Sequence, residues 1–158
     1  MIEIDIPGFG PVRLEHLVSD FTGTLSCDGI LPGEVAERIR EISQHLSVDI
    51  LTADTFKTAL SELEGLPCTV NLLGNSFTNL DARKEKFVRE LGPEGVVAFG
   101  NGMNDRKMLK AARLGIAVSG PEGCATEALI ASDIHVLQVI DAFDLLLKPK
   151  RCKATLRF

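Results

Sequence analysis

Short, mostly apolar runs alternate with amphipathic segments along almost the whole chain, and this alternation limits the fold more than any other feature. Leu17–Ser19, Val48–Leu51, Cys68–Leu72, Val96–Phe99, Ile116–Val118 and Ile134–Val136 read as short buried strands. Between them, Val35, Ile39, Ile42 and Leu46 fall at helical spacing in Val35–Leu46. Thr55–Leu63, Leu80–Leu91, Asn104–Leu114, Gly123–Ala131 and Val139–Leu147 read as further helices. Asn79 stands as N-cap before Leu80, Gly92-Pro93 stops that helix, and Gly115 stops the helix over Asn104–Leu114. Buried strands of this kind need helices on both faces, which predicts a three-layer α/β sandwich around a mostly parallel sheet.

The two ends of the chain read differently. Ile2–Ile6 alternates apolar and acidic residues, Pro7–Pro11 is a turn, and Val12–Leu14 returns, so a small amino-terminal β-hairpin is expected. Ala154–Phe158 reads as a terminal strand, free to pair with that hairpin or with a second copy in a homo-oligomer. No repeat or linker divides the sequence, so residues 1–158 are expected to form a single domain.

Composition narrows the partners. With 17 Lys and Arg against 22 Asp and Glu the net charge is −5, a poor match for nucleic acid or an anionic membrane surface. No apolar run approaches the roughly 20 residues that cross a bilayer. The start, MIEIDIPGFG, lacks the basic and apolar regions of a secretion signal, which points to the cytoplasm. Cys27, Cys68, Cys124 and Cys152 are too scattered for a zinc site or a disulfide framework and read as buried thiols.

In open parallel sheets ligands sit beyond the carboxyl ends of the strands, so the polar residues there carry the chemistry. Asp20-Phe21-Thr22-Gly23-Thr24-Leu25 follows the first buried strand, Thr52-Ala53-Asp54 the second, and Gly100-Asn101-Gly102-Met103-Asn104-Asp105 the fourth; Lys84 lies early in a helix. A carboxylate can attack phosphorus, while hydroxyl, backbone amide and ammonium groups hold the charged oxygens. A second carboxylate completes an oxygen site for Mg2+. Each piece alone has a bland reading: Asp20 as a turn residue, Thr52 as a helix cap, Lys84 as part of a solvated face with Arg83 and Lys86. Their joint order is much more specific.

These residues carry a resemblance to the haloacid dehalogenase superfamily. Asp20–Leu25 resembles its D-x-x-G-T-L motif and, with Thr22, the D-K-T-G-T-L motif of P-type cation ATPases. Ile50–Asp54 is similar to L-T-G-D, Arg83–Val88 to the segment with the motif-three lysine, and Gly100–Asp105 to G-D-G-x-N-D. The similarity covers roughly residues 17–137. It implies a Rossmann-like core in which Asp20, Thr52 and Lys84 are catalytic. Thr22, Gly23, Thr24, Ala53 and Asn104 would bind the substrate phosphate, and Asp20, Thr22, Asn101 and Asp105 would hold Mg2+. About 26 residues separate Leu25 from Thr52, too few for an inserted cap, and the stretch from Thr52 to Lys84 is equally short. The expected core is therefore capless, with loops such as Gly74–Asn79 lining an open site for a phosphorylated small molecule or macromolecule.

Two departures bear on mechanism. Thr22 stands where phosphatases of this superfamily carry a second Asp as general acid, and a positioned acid contributes about 10²–10⁴ in rate. Good leaving groups are then preferred and the aspartyl-phosphate should turn over slowly. Asn101 stands where the superfamily carries an Asp on the metal, which removes one negative charge. These departures also suit an alternative: a catalytically weak or inactive module that binds or regulates. A receiver-like phospho-acceptor fits poorly, because Ser19-Asp20 is no acidic pair and the third buried strand ends without Asp. A free-standing ATPase lacks the G-x-x-x-x-G-K-[ST] loop, and a transporter lacks membrane spans.

Overall fold

A computed structural model describes residues 1–53, 56–74 and 78–158. Asp54 and Thr55, and Asn75, Ser76 and Phe77 of the expected substrate-facing loop, lie outside the described residues.

Among the described residues eight strands form two sheets. β1 (Ile2–Ile6) and β2 (Gly10–Leu14) make the antiparallel hairpin, with Ile4 opposite Val12. The other six are β3 (His16–Asp20), β4 (Ser47–Thr52), β5 (Thr69–Leu72), β6 (Val96–Gly100), β7 (Leu114–Val118) and β8 (Ile134–Val136). They pair in the order β5-β4-β3-β6-β7-β8, all parallel. The helices are α1 (Gly33–Ile42), α2 (Ala59–Glu62), α3 (Leu80–Leu91), α4 (Arg106–Ala111), α5 (Thr126–Ala131), α6 (Val139–Leu147) and α7 (Pro149–Leu156).

The pleat divides the core into two layers. On one face Leu17, Val97, Phe99, Leu114 and Ile116 pack with α1, α6, α7 and the hairpin; there the rings of Phe99 and Phe143 meet edge to face at 5.3 Å. On the other, Val18, Leu51, Val96 and Ala98 meet Val88 of α3, Met108 and Leu109 of α4, and Ala128 of α5. The three-layer α/β expectation holds, and among the described residues no separate cap interrupts the core.

Some boundaries move. The stretch expected to be helical over Asn104–Leu114 is a 3-10 turn over Met103–Asp105, then α4, with Leu114 already opening β7. Gly115 is the reason for this tight return: a Cβ there would run into the Leu109 carbonyl. Among the described residues of the stretch expected from Thr55 to Leu63, Ala59–Glu62 is helical. Asn79 occupies the N-cap position of α3 with φ +60°, but its side chain makes no capping bond. Of the four thiols expected to be buried, Cys152 is; Cys27, Cys68 and Cys124 are half-buried.

The terminal strand expected over Ala154–Phe158 is instead the end of α7. Pro149 suits the first turn of a helix, and Cys152 packs into the core from it. The tail does meet the hairpin of its own chain, where the Phe158 amide donates to the Pro7 carbonyl.

Candidate functional site

The sheet order reverses at β3. The chain first builds outward through β4 and β5, then crosses to lay β6 on the other side of β3. A crevice forms outside the carboxyl ends at such a point, and Asp20 is the last residue of β3. The register that pairs Asp20 with Leu51 puts Thr52 one residue farther along the neighbouring strand. Thr52 is buried there, and its carbonyl accepts the Leu73 amide. Asn101–Asp105 follows β6 on the other flank.

After Asp20 the backbone closes a tight turn. The Phe21 carbonyl accepts the amides of Thr24, Leu25 and Ser26, and the Gly23 amide donates to the Ser26 carbonyl. None of these bonds uses the Thr22 carbonyl. Gly23 has φ +78°, and a Cβ there would lie 2.6 Å from Asn101 Nδ2, so the turn needs glycine for both conformation and space. A two-residue hairpin, Cys27–Ile30, comes next, with Asp28 and Gly29 at positive φ. Asp-Gly favours such a turn; the strand-and-helix reading of the sequence passes over it.

Three buried charges form the centre. Lys84 Nζ donates to Asp20 Oδ1 at 2.7 Å and to Asp105 Oδ1 at 2.6 Å, with a longer contact of 3.4 Å to Asn104 Oδ1. Lys84 is 1% exposed, Asp105 0% and Asp20 6%. Helix α3 brings Lys84 here because Leu80, Lys84 and Val88 share its buried stripe. Burial pushes the Asp20 carboxyl up to about 7, Lys84 pulls it down, and the Asp105 charge pushes it up again. Burial alone would lower the Lys84 ammonium, but Asp105 and Asp20 reverse this and hold it above its ordinary value.

Asp105, expected among the Mg2+ ligands, has both oxygens engaged by donors of the protein itself. Oδ1 takes the lysine, and Oδ2 accepts the amides of Asn101 at 3.0 Å and Gly102 at 2.8 Å. Gly100 makes this packing possible, since a Cβ there would lie 2.5 Å from Asp105 Cβ. Asp105 thus holds the lysine and the turn after β6.

The donor set beside Asp20 fits a hard cation. Thr24 Oγ1 lies 3.2 Å from Asp20 Oδ2 and 3.0 Å from Asn101 Oδ1. A hydroxyl carries one proton, so it serves one of these acceptors at a time. Asn101 is oriented by its Nδ2, which donates to the Gly123 carbonyl at 3.1 Å. Two side-chain oxygens and a backbone carbonyl are the ligand types Mg2+ takes. Thr22 and Ala53 are half-buried at the rim. Glu122, absent from the candidates, also reaches this turn; its contact with Asp28 spans 94 positions, and no local pattern announces it.

Comparisons with known proteins bear on the family and the fold. A haloacid dehalogenase-like hydrolase family profile matches residues 76–129. The chain is 46% identical over 78 residues to the uncharacterized protein MJ0073 of Methanocaldococcus jannaschii, covering 47% of this chain and 84% of that protein. Among solved structures, the 3-deoxy-D-manno-octulosonate 8-phosphate phosphatase of Moraxella catarrhalis, crystallised with magnesium, phosphate and the sugar acid, superposes with a TM-score of 0.69. Identity is 19%, over 91% of this chain and 94% of that one. A zinc-transporting PIB-type ATPase matches at a TM-score of 0.62 and 23% identity, over 78% of this chain and 20% of that one. At these identities the two structural likenesses establish the fold.

Proposed function

The chain belongs to the haloacid dehalogenase-like hydrolases, and on that premise we propose that it is a Mg2+-dependent phosphohydrolase or phosphotransferase working through an aspartyl-phosphate on Asp20. The observation that carries this reading is the buried contact of Lys84 with both Asp20 and Asp105 at the reversal point of the sheet. Two carboxylates and one ammonium with so little exposure are costly to bury even when paired, and perturbed groups of this kind cluster at functional sites.

In this reading the whole of residues 1–158 serves one catalytic core. Asp20 attacks phosphorus; the new Asp20–phosphorus bond forms as the bond to the leaving oxygen breaks, and water then cleaves the acyl phosphate. Lys84 and Thr52 hold the phosphoryl oxygens, where the transition-state charge sits. The turn Thr22-Gly23-Thr24, with Ala53 and Asn104, lines the phosphate. Asp105 is a positioning residue for Lys84. Asp20, the Thr22 carbonyl and Asn101 would hold Mg2+, which supplies charge neutralisation between carboxylate and phosphate when bound. Thr22 offers no proton to the leaving oxygen, so acyl phosphates and phosphoanhydrides react ahead of alkyl phosphate esters.

The test is phosphate release from acetyl phosphate and an aryl phosphate with Mg2+, beside Asp20→Asn. Release that disappears in the variant supports the reading, and unchanged turnover overturns it. The second reading, a binding or regulatory module on the same fold, draws on Thr22 and Asn101. It prevails if the wild type releases no phosphate and shows no calorimetric response to Mg2+ with beryllofluoride.

A further inference from the structure

We propose that Glu122 supplies, from outside the ligand shell, negative charge that the Mg2+ position beside Asp20 otherwise lacks. The inference rests on the phosphohydrolase reading and deepens it. Among the three groups placed at that position, only Asp20 is charged, since Thr22 contributes a carbonyl and Asn101 a carboxamide. The charge of Asp105 is matched by Lys84 at 2.6 Å. Asp20, Asp105 and Lys84 together sum to −1, which leaves a divalent cation undercompensated.

Glu122 is built to correct this. The point where a Gly23 Cβ would stand lies 2.6 Å from Asn101 Nδ2 and 3.0 Å from Glu122 Oε2, so carboxylate and carboxamide converge on one spot of the turn. The other oxygen, Oε1, accepts the Asp28 amide at 2.8 Å, which fixes the carboxylate in that direction although the residue is exposed. The loop that carries it is fastened to the same asparagine: Asn101 Nδ2 donates to the Gly123 carbonyl at 3.1 Å, and the Ala125 amide donates to the Asn101 carbonyl at 2.8 Å. Among the described residues no Lys or Arg forms an ion pair with Glu122, so its charge is not spent on the protein's own cations. Gly23 itself puts no side chain between the two groups.

Magnesium affinity, measured by calorimetry on the full chain without substrate, reads this charge directly. Glu122→Gln keeps an acceptor oxygen for the Asp28 amide and removes only the charge. Its Mg2+ affinity should fall about three- to tenfold in low salt, and the difference should shrink as added salt screens it. Glu122→Ala, which also loses the hydrogen bond, should weaken Mg2+ by the same factor. An unchanged melting temperature of Glu122→Gln in EDTA shows that its fold is intact. Wild-type affinity in Glu122→Gln, with weakening confined to Glu122→Ala, makes the residue a mere latch and overturns the inference while the function reading stands. A wild type that binds no Mg2+ overturns the function reading itself, a distinguishable result.

Discussion

Asp20→Asn should make the protein more stable, and by an amount that depends on pH. Burial, with the Asp105 charge, pushes the Asp20 carboxyl from its ordinary 3.8 up to about 7 in the folded chain, and Lys84 offsets only part of this. A raised folded value means that the protonated form favours folding. That advantage is complete below pH 3.8 and is lost as the pH rises through 7. Each pH unit of difference is about 1.4 kcal/mol, so the stability lost is on the order of 4 kcal/mol above pH 7 and well under half of that at pH 5, where folded Asp20 still keeps its proton. Asparagine mimics the protonated acid and removes this cost, while Lys84 keeps Asp105 at 2.6 Å. For a chain of this size about 4 kcal/mol corresponds to a rise in melting temperature of about 8–16 °C. Thermal melts of both proteins at pH 5 and pH 8 in EDTA give the gap, and Mg2+ should narrow it by binding the wild-type carboxylate. A gap that does not widen with pH, or a wild type that melts above Asp20→Asn at pH 8, refutes the reasoning.

Lys84→Met leaves two carboxylates facing one another without their ammonium and should cost about 3–5 kcal/mol in urea denaturation at pH 8. The loss should be smaller at pH 5, where Asp20 takes up a proton, and acetyl phosphate turnover should vanish at either pH. Gly100→Ala drives a methyl into Asp105 and should cost about 1–3 kcal/mol with a marked fall in phosphate release. Gly33→Ala, whose methyl meets nothing within 4 Å at the start of α1, is the control and should leave phosphate release unchanged without loss of stability. Thr22→Asp restores a proton donor, so hydrolysis of an alkyl phosphate should rise by about 10² or more while acetyl phosphate changes little.

Much of this was legible from local pattern. Periodicity is a property of neighbouring residues, so the alternation of buried strands and helices, and the polar residues closing each strand, can be read along the chain. The same holds for Gly23, whose turn is made within Phe21–Ser26, and for Asp28-Gly29, whose turn closes within Cys27–Ile30. Where local pattern was weak, the outcome was set elsewhere. Ala154–Phe158 has the apolar residues of a strand, yet Pro149 and the buried Cys152 carry α7 through most of it.

The sequence by itself determined which side chains stand at the ends of the strands, because strand and helix periods are local. Which of them meet was decided by the order β5-β4-β3-β6-β7-β8, which brings together residues far apart in the chain. Lys84 reaches Asp20 across 64 positions, Thr24 reaches Asn101 across 77, and Glu122 reaches Asp28 across 94. Only that closure gave Asp105 to the lysine, raised the Asp20 carboxyl by burial, and set a glutamate beside Asn101. Contact and desolvation depend on packing between distant segments, which no local period encodes.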